Sequence, residues 1–109
     1  MKVSKELLKG TTSTLILSVL EKEDMYGYLI VKSIENKSEN VFSLNEGTLY
    51  PILHALEEEG FLEAYQEKYE GRVRKYYHIT KKGLKKLKEA REEWGVFSGA
   101  VTKVITCEA

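Results

Sequence analysis

Apolar residues recur at helical spacing in four stretches of the chain and alternate in a fifth. Between Ser43 and Glu59, residues Leu49, Ile52, Leu53 and Leu56 fall on one stripe at about 100° per residue, the face a helix buries. Ser43-Leu44-Asn45-Glu46 has the form of a capping box, and Gly60 stands where a helix ends. The opposite face carries Gly47, Pro51 and His54, flanked by Thr48 and Tyr50, so it is short, uncharged and rich in hydrogen-bonding groups. Its acids, Glu57 to Glu59, are held to the far end. A helix that pushes its N-terminal half into a groove lined with phosphates has this distribution. A capped helix that touches only its own core has it too. Pro51 leaves two options: the helix starts near Thr48, or its first turn is distorted.

The first of the other stretches runs from a cap at Ser4 to about Lys22. Leu7, Leu8, Thr11, Leu15, Ile16, Leu17, Val19 and Leu20 cover more than half its circumference, which predicts burial on more than one side, against its own domain and a second subunit. A helix from about Tyr26 to Ser38 follows, with Leu29, Ile30, Val31 and Ile34 as its buried stripe. Tyr26-Gly27-Tyr28 at its start either offers a phenol and backbone N–H groups to a phosphate or simply packs. Asn36 to Asn40 reads as a loop, and Val41, Phe42 and Leu44 as a short extended segment. Phe61 to Tyr65 and Val73 to Ile79 predict the two strands of a hairpin around a turn at Lys68 to Gly71. The second strand alternates, with Val73, Lys75, Tyr77 and Ile79 on one face.

The last helix is predicted from a cap at Thr80 to about Thr106. Leu87, Ala90, Trp94, Phe97, Val101 and Val104 are spaced 3, 4, 3, 4, 3, a heptad seam. No later element follows to cover it, so a second copy of the chain is the economical partner, with Leu8 and Leu15 of the first helix adding to the interface. Gly95 and Gly99 weaken the seam by about 1 kcal/mol each relative to Ala. The fold class is therefore mostly α with a small β-hairpin (α+β). It is a winged helix-turn-helix over residues 1–79, followed by a dimerisation helix over 80–109.

Composition changes this picture in one respect. The 109 residues fit one domain, and 42% hydrophobic with 31% charged residues allow a modest core. Formal net charge is zero, from 17 basic and 17 acidic residues. Yet Lys68 to Arg91 holds ten Lys or Arg and two Glu, a net of +8, against −6 before it and −2 after it. A localised basic block is the electrostatic footprint of a DNA binder. Lys81, Lys82, Lys85, Lys86 and Lys88 load the first turns of the last helix, against its dipole. Either an external anion offsets them or they are a solvated face. The single cysteine, Cys107, excludes an intrachain disulfide and a cysteine-rich metal site. No cofactor is expected. No run approaches the roughly 20 apolar residues of a membrane span, and no secretory signal is visible, which makes the cytoplasm the expected compartment.

Three motifs in combination resemble the PadR family of bacterial transcriptional regulators. They are Tyr26-Gly27-Tyr28; Asn45-Glu46-Gly47-Thr48-Leu49-Tyr50-Pro51 with Leu53, Leu56-Glu57 and Gly60; and Gly71-Arg72-Val73-Arg74-Lys75-Tyr76-Tyr77 with Ile79-Thr80 and Gly83. With one C-terminal helix the chain resembles the short subgroup that includes the lactococcal multidrug-sensing repressor. The resemblance implies a winged-helix homodimer that represses by occupying a promoter. It places Gly47, Thr48, Tyr50, Arg72, Arg74 and Lys75 at double-stranded DNA and starts the recognition helix before Pro51; Tyr26, Pro51 and His54 are added to that face from their own positions in the chain. It also implies a pocket for a small aromatic or drug-like effector around Trp94, with Leu7, Thr14, Ser18, Arg91, Phe97 and Ser98. Arg91 stands where an aromatic residue is expected and Ser98 where an acid is. Trp94 could equally do no more than fill the dimer seam.

Two other classes compete with a DNA-binding repressor. A winged-helix adaptor would turn the same basic patch to an acidic protein. An enzyme finds little support: His54 with Glu57 or Glu58 is common surface chemistry, and no Ser–His–Asp set, phosphate-cradling glycine loop or metal-ligand cluster is visible.

Overall fold

The computed structural model describes residues 3–106, so Cys107 lies outside the described residues. In chain order the elements are α1 (Lys5–Lys9), α2 (Thr12–Lys22), β1 (Met25–Tyr26), α3 (Gly27–Lys37), α4 (Glu46–Glu58), β2 (Leu62–Tyr69), β3 (Arg72–Ile79) and α5 (Lys81–Ile105). The three strands form one antiparallel sheet in the order β1-β3-β2. This is an α-rich winged helix, as expected.

The single first helix of the sequence reading is two helices. Leu8 carbonyl accepts the Thr11 N–H at 2.9 Å, the Thr11 hydroxyl at 3.0 Å and the Thr12 hydroxyl at 3.1 Å. These donors replace the helical ladder and end α1 at Gly10. The break turns Leu8 inward, where it is 6% exposed, and leaves Leu7 outside at 69%. Leu8 therefore belongs to its own protomer's core and not to an outer face.

Hydrophobic faces of the helices meet on one side of the sheet. Ile16, Leu17 and Leu20 of α2, Ile30 and Ile34 of α3, and Leu49, Leu53 and Leu56 of α4 close over Leu62, Tyr77 and Ile79. The stripe of α3 is rotated from its expected position: Gly27, Ile30, Val31 and Ile34 are buried, and Leu29 is exposed. Val41 to Leu44 forms no strand. It follows two residues with positive φ, Glu39 and Asn40, and delivers Leu44 to the core.

The third strand, β1, is absent from the sequence reading. Two residues give no alternation to detect, and Met25 and Tyr26 gain strand geometry only by pairing with Tyr77 and Tyr76 of β3. The hairpin is longer than expected: Tyr69 pairs with Arg72, and Glu70-Gly71, at φ 50 and 78, form the two-residue turn. Positive φ at both positions is what a type I′ turn requires. Only the base of the hairpin touches the core. Val73, near the tip, is 65% exposed.

Helix α5 is held in place at its start. Thr80 caps it, its hydroxyl accepting the Gly83 N–H at 3.0 Å and donating to the Gly60 carbonyl at 2.7 Å. Gly83 packs so tightly that an added Cβ would lie 2.2 Å from the Phe61 carbonyl oxygen. Leu87 is 1% exposed and sits in the same core, so the expected seam loses its first member to the protomer itself. Beyond it, Trp94, Val96, Phe97, Val101, Val104 and Ile105 are all exposed.

Candidate nucleic-acid interface

Helix α4 begins two residues later than a capping box at Ser43 would place it. Asn45 is the N-cap, its side-chain oxygen accepting the Thr48 N–H at 2.8 Å, and Glu46 is the first helical residue. The reason is Leu44: burying it at 7% exposure turns Asn45, not Ser43, toward the orphan N–H groups. Pro51 lies inside α4, so the helix does start before it. Having no N–H, Pro51 leaves the Gly47 carbonyl without its ordinary partner. Gly47, Thr48, Tyr50, Pro51 and His54 are all exposed, on the side of α4 away from Leu49, Leu53 and Leu56.

Tyr50 does not project freely. Its phenol rests over Gly27 at the start of α3, where an added Cβ would lie 2.6 Å from the hydroxyl oxygen. Gly27 thus lets the outer face of α4 meet the N-terminus of α3, where unbonded backbone N–H groups favour anions. Tyr26 sits beside it. The Arg74 guanidinium lies 4.3 Å from the Tyr26 ring centroid, and Arg74 Nε is buried with no hydrogen-bond partner among the described residues. Residues expected at DNA from three separate motifs are therefore neighbours across α4, α3 and β3.

The other cations divide. Arg72 is exposed at the hairpin tip, while Lys75 Nζ lies 3.5 Å from a Glu57 carboxylate oxygen. Lys82 donates to the Glu59 carbonyl at 2.7 Å, and both Lys82 and Lys86 lie over the Phe61 ring. These two fasten α5 to the end of α4, which supplies a reason for their placement that needs no external anion.

A set of residues not singled out by sequence supports this surface from beneath. On the outer sheet face the Tyr76 ring is edge-on to Tyr26 at 5.4 Å and stacked with Tyr65 at 5.7 Å. Asp24, just before β1, accepts a hydrogen bond from the Tyr65 hydroxyl at 2.7 Å and lies 2.8 Å from His78 Nδ1. One carboxylate thereby brackets β2 and β3 to the strand that carries Tyr26. Burial pushes the Asp24 carboxyl up, but the bonds from Tyr65 and His78 outweigh it and hold it below the usual value. The Asp24 bond, with burial and the nearby charge, drives the Tyr65 phenol up to about 12. The alternation that puts Tyr77 and Ile79 inward assigns Arg74, Tyr76 and His78 to the opposite face. The role of Asp24 had no comparable signal, because its partners are 41 and 54 residues away in sequence.

Within the protomer the expected effector residues are distributed over α1, α2 and α5. Trp94 and Phe97 are paired at 5.9 Å and exposed on α5. Arg91 is bonded to Ser18 at 3.1 Å and to Glu21 at 2.9 Å, so two of the expected lining residues tie α5 to α2. Leu7 and Thr14 lie on α1 and α2, exposed and half-buried, and Ser98 is half-buried on α5. Leu15 packs against the core at its edge, and Ala90 is half-buried. No helix among the described residues is long and apolar enough to cross a membrane.

A helix-turn-helix with its second helix exposed at the N-terminal half, followed by a basic hairpin, defines a winged-helix DNA-binding regulator. The model of the PadR-like family of transcriptional regulators matches residues 16–89, and the chain belongs to that family. A solved transcriptional regulator from Clostridium thermocellum is similar at 35% identity and a TM-score of 0.85, with 91% of this chain and 97% of that one covered. A PadR family regulator from Eggerthella lenta is similar at 36% identity and a TM-score of 0.81, covering 92% and 86%. Uncharacterized protein X of Lysinibacillus sphaericus is 37% identical over 93 residues, 84% of this chain and 85% of that protein.

Proposed function

We propose that the protein is a homodimeric repressor. Each protomer inserts the N-terminal half of α4 into the major groove of promoter DNA and grips the backbone with its hairpin. The observation that carries this reading is the convergence of Tyr50, Tyr26 and Arg74 at the start of α3. An unpartnered buried guanidinium nitrogen there is a costly arrangement that a phosphate oxygen would satisfy. Thr48, Tyr50 and His54 would meet base edges, while Tyr26, Arg72, Arg74 and Lys75 would meet phosphates and deoxyriboses. Gly47 and Pro51 shape the helix start that admits the backbone.

The exposed second half of α5 supports a dimer, because a contiguous apolar face of this size in water calls for a covering partner. Two such helices side by side would set the recognition helices about one DNA turn apart, roughly 34–36 Å. The same seam would offer Trp94 and Phe97 to a flat aromatic effector. Fluorescence anisotropy with the duplex upstream of this protein's own gene, against a scrambled duplex at several salt concentrations, tests the reading. Preferential binding that weakens with salt is expected. Arg74→Ala should weaken binding to both duplexes and flatten the salt slope, and Tyr50→Ala should narrow the gap between them. No binding to either duplex at low salt would overturn the repressor and leave the adaptor.

A further inference from the structure

A cavity of about 500 Å³ separates the α1–α2 break from the start of α4. Its floor is apolar: Leu8 and Leu44 are buried and Ile52 partly so. Its rim is not. Lys5 and Lys9 stand one turn apart on α1, both exposed and without an ion pair among the described residues. The Ser13 and Ser43 hydroxyls are exposed and make no hydrogen bond among the described residues, and Glu6 is the single acid in the lining. Other cations close to α4 are committed, Lys75 to Glu57 and Lys82 to the Glu59 carbonyl. Helix geometry fixes where this rim lies. With Leu49 at the middle of the buried stripe, about 100° per residue puts Tyr50 about 100° round α4, and Thr48 and Ile52 at about 260° and 300°. Tyr50 leans on Gly27 at the start of α3, whereas Thr48 and Ile52 line the cavity. The α3 start, with Tyr26 and Arg74, and the α1 lysines therefore stand on opposite flanks of the exposed face of α4.

We propose that this slot seats the sugar–phosphate backbone of one DNA strand while Arg74 and the start of α3 hold the other. The slot's role rests on the repressor reading given above. A helix lying in the major groove, about 12 Å wide, has a row of phosphates on each side. Tyr26, Arg74 and the N-terminus of α3 account for one row only. Lysines and serine hydroxyls are side chains that bond phosphate oxygens, and such contacts set a protein's register on the duplex without reading its sequence. The apolar floor beneath them suits the deoxyribose carbons between successive phosphates, which gain by leaving water. With both rows held, α4 cannot roll in the groove. The slot would thus fix the angle at which Thr48 and His54 reach the bases, though it touches no base itself.

The test is the salt dependence of binding to a scrambled duplex, read by fluorescence anisotropy with the full chain, because phosphate contacts need no particular sequence. Lys5→Gln with Lys9→Gln should flatten the slope of log affinity against log salt by about 2 for each protomer on the duplex, and Arg74→Ala by about 1. The two sets touch different phosphates, so the three substitutions together should flatten it by about 3. Lys37→Gln, about 15 Å along α3 from Gly27, should leave the slope in place. Lys5 and Lys9 are exposed and have no ion pair among the described residues to lose, so thermal unfolding of the double variant should be unchanged, which separates a lost contact from a lost fold. A double variant with the wild-type slope, beside an Arg74→Ala that flattens it, would overturn the slot and leave the repressor reading standing. A triple variant no flatter than the double variant would mean shared phosphates and overturn the assignment to a second strand. An equal loss per charge in Lys37→Gln would make the effect a general field and overturn the slot as well. No binding to any duplex at low salt would overturn the repressor reading and the slot with it.

Discussion

Replacing Asp24 by Asn removes one charge and keeps the shape, and its consequences follow from two contacts. The carboxylate accepts from Tyr65 at 2.7 Å and meets His78 at 2.8 Å. Because the Asp24 bond raises the Tyr65 phenol from 10.0 to about 12, an uncharged amide should return Tyr65 toward 10. The sign of each pH effect is fixed by these shifts. Tyr65, with its folded value raised, contributes stability fully below pH 10 and loses it as pH rises through about 12. Asp24, with its folded value lowered, contributes above its ordinary 3.8 and loses that contribution as pH falls through the folded value. Both contributions are therefore present at neutral pH. Both groups are partly solvated, so Asp24→Asn should cost about 1 kcal/mol, a fall in Tm of about 4 °C for a domain of this size. The assay is NMR titration of ¹³Cζ-labelled tyrosines, with Tyr65→Phe to assign the signal. In the wild type one of the seven tyrosines should titrate last, near 12; that late signal should vanish in Tyr65→Phe and move earlier in Asp24→Asn. A Tyr65 that titrates early in the wild type, or is unmoved in Asp24→Asn, would refute the bracket.

Three further substitutions test other joints. Gly83→Ala drives a Cβ to within 2.2 Å of the Phe61 carbonyl oxygen, and because backbone must move, thermal unfolding should show a loss of about 2–4 kcal/mol. Gly27→Ala meets only the mobile end of Tyr50 at 2.6 Å. It should cost under about 1 kcal/mol in stability yet reduce the operator-to-random binding ratio as Tyr50→Ala does; an unchanged ratio would free Tyr50 from Gly27. Phe97→Asp, at a position 59% exposed in the protomer, should yield folded monomers by sedimentation velocity, and a persistent dimer would remove Phe97 from the interface.

What was legible in the sequence divides by range. The α4 stripe, with Leu49, Leu53 and Leu56 buried and Ile52 partly so, the Thr80 cap and the alternation of β3, buried only at Tyr77 and Ile79, are local patterns that stand in the fold. The errors fall where a long-range demand overrides a local one. Ser43 and Glu46 have the spacing of a capping box, but burying Leu44 hands the cap to Asn45. Leu7 and Leu8 both suit a continuous helix, but the hydroxyls of Thr11 and Thr12 end it at Gly10 and send only Leu8 inward. Strand β1 exists only because β3 is there to pair with it.

The same distinction explains why the proposed DNA face could be listed residue by residue but not assembled. Tyr26, Tyr50 and Arg74 belong to motifs separated by tens of residues, and nothing in their spacing says that they touch. They meet because Gly27 has no side chain and because the Tyr65–Tyr76–Tyr26 ring contacts, held from one end by Asp24, carry the base of the hairpin to the start of α3. The hairpin tip, by contrast, has no such anchor among the described residues: Glu70-Gly71 is exposed, and a Cβ at Gly71 would meet no atom within 4 Å. In the proposed complex, one anchored end and one free end would hold a phosphate in a fixed place while the wing follows the groove. This arrangement also couples folding to affinity at the anchored end, so that Asp24→Asn should alter both, whereas Arg72→Ala at the tip should weaken DNA binding with little change in stability.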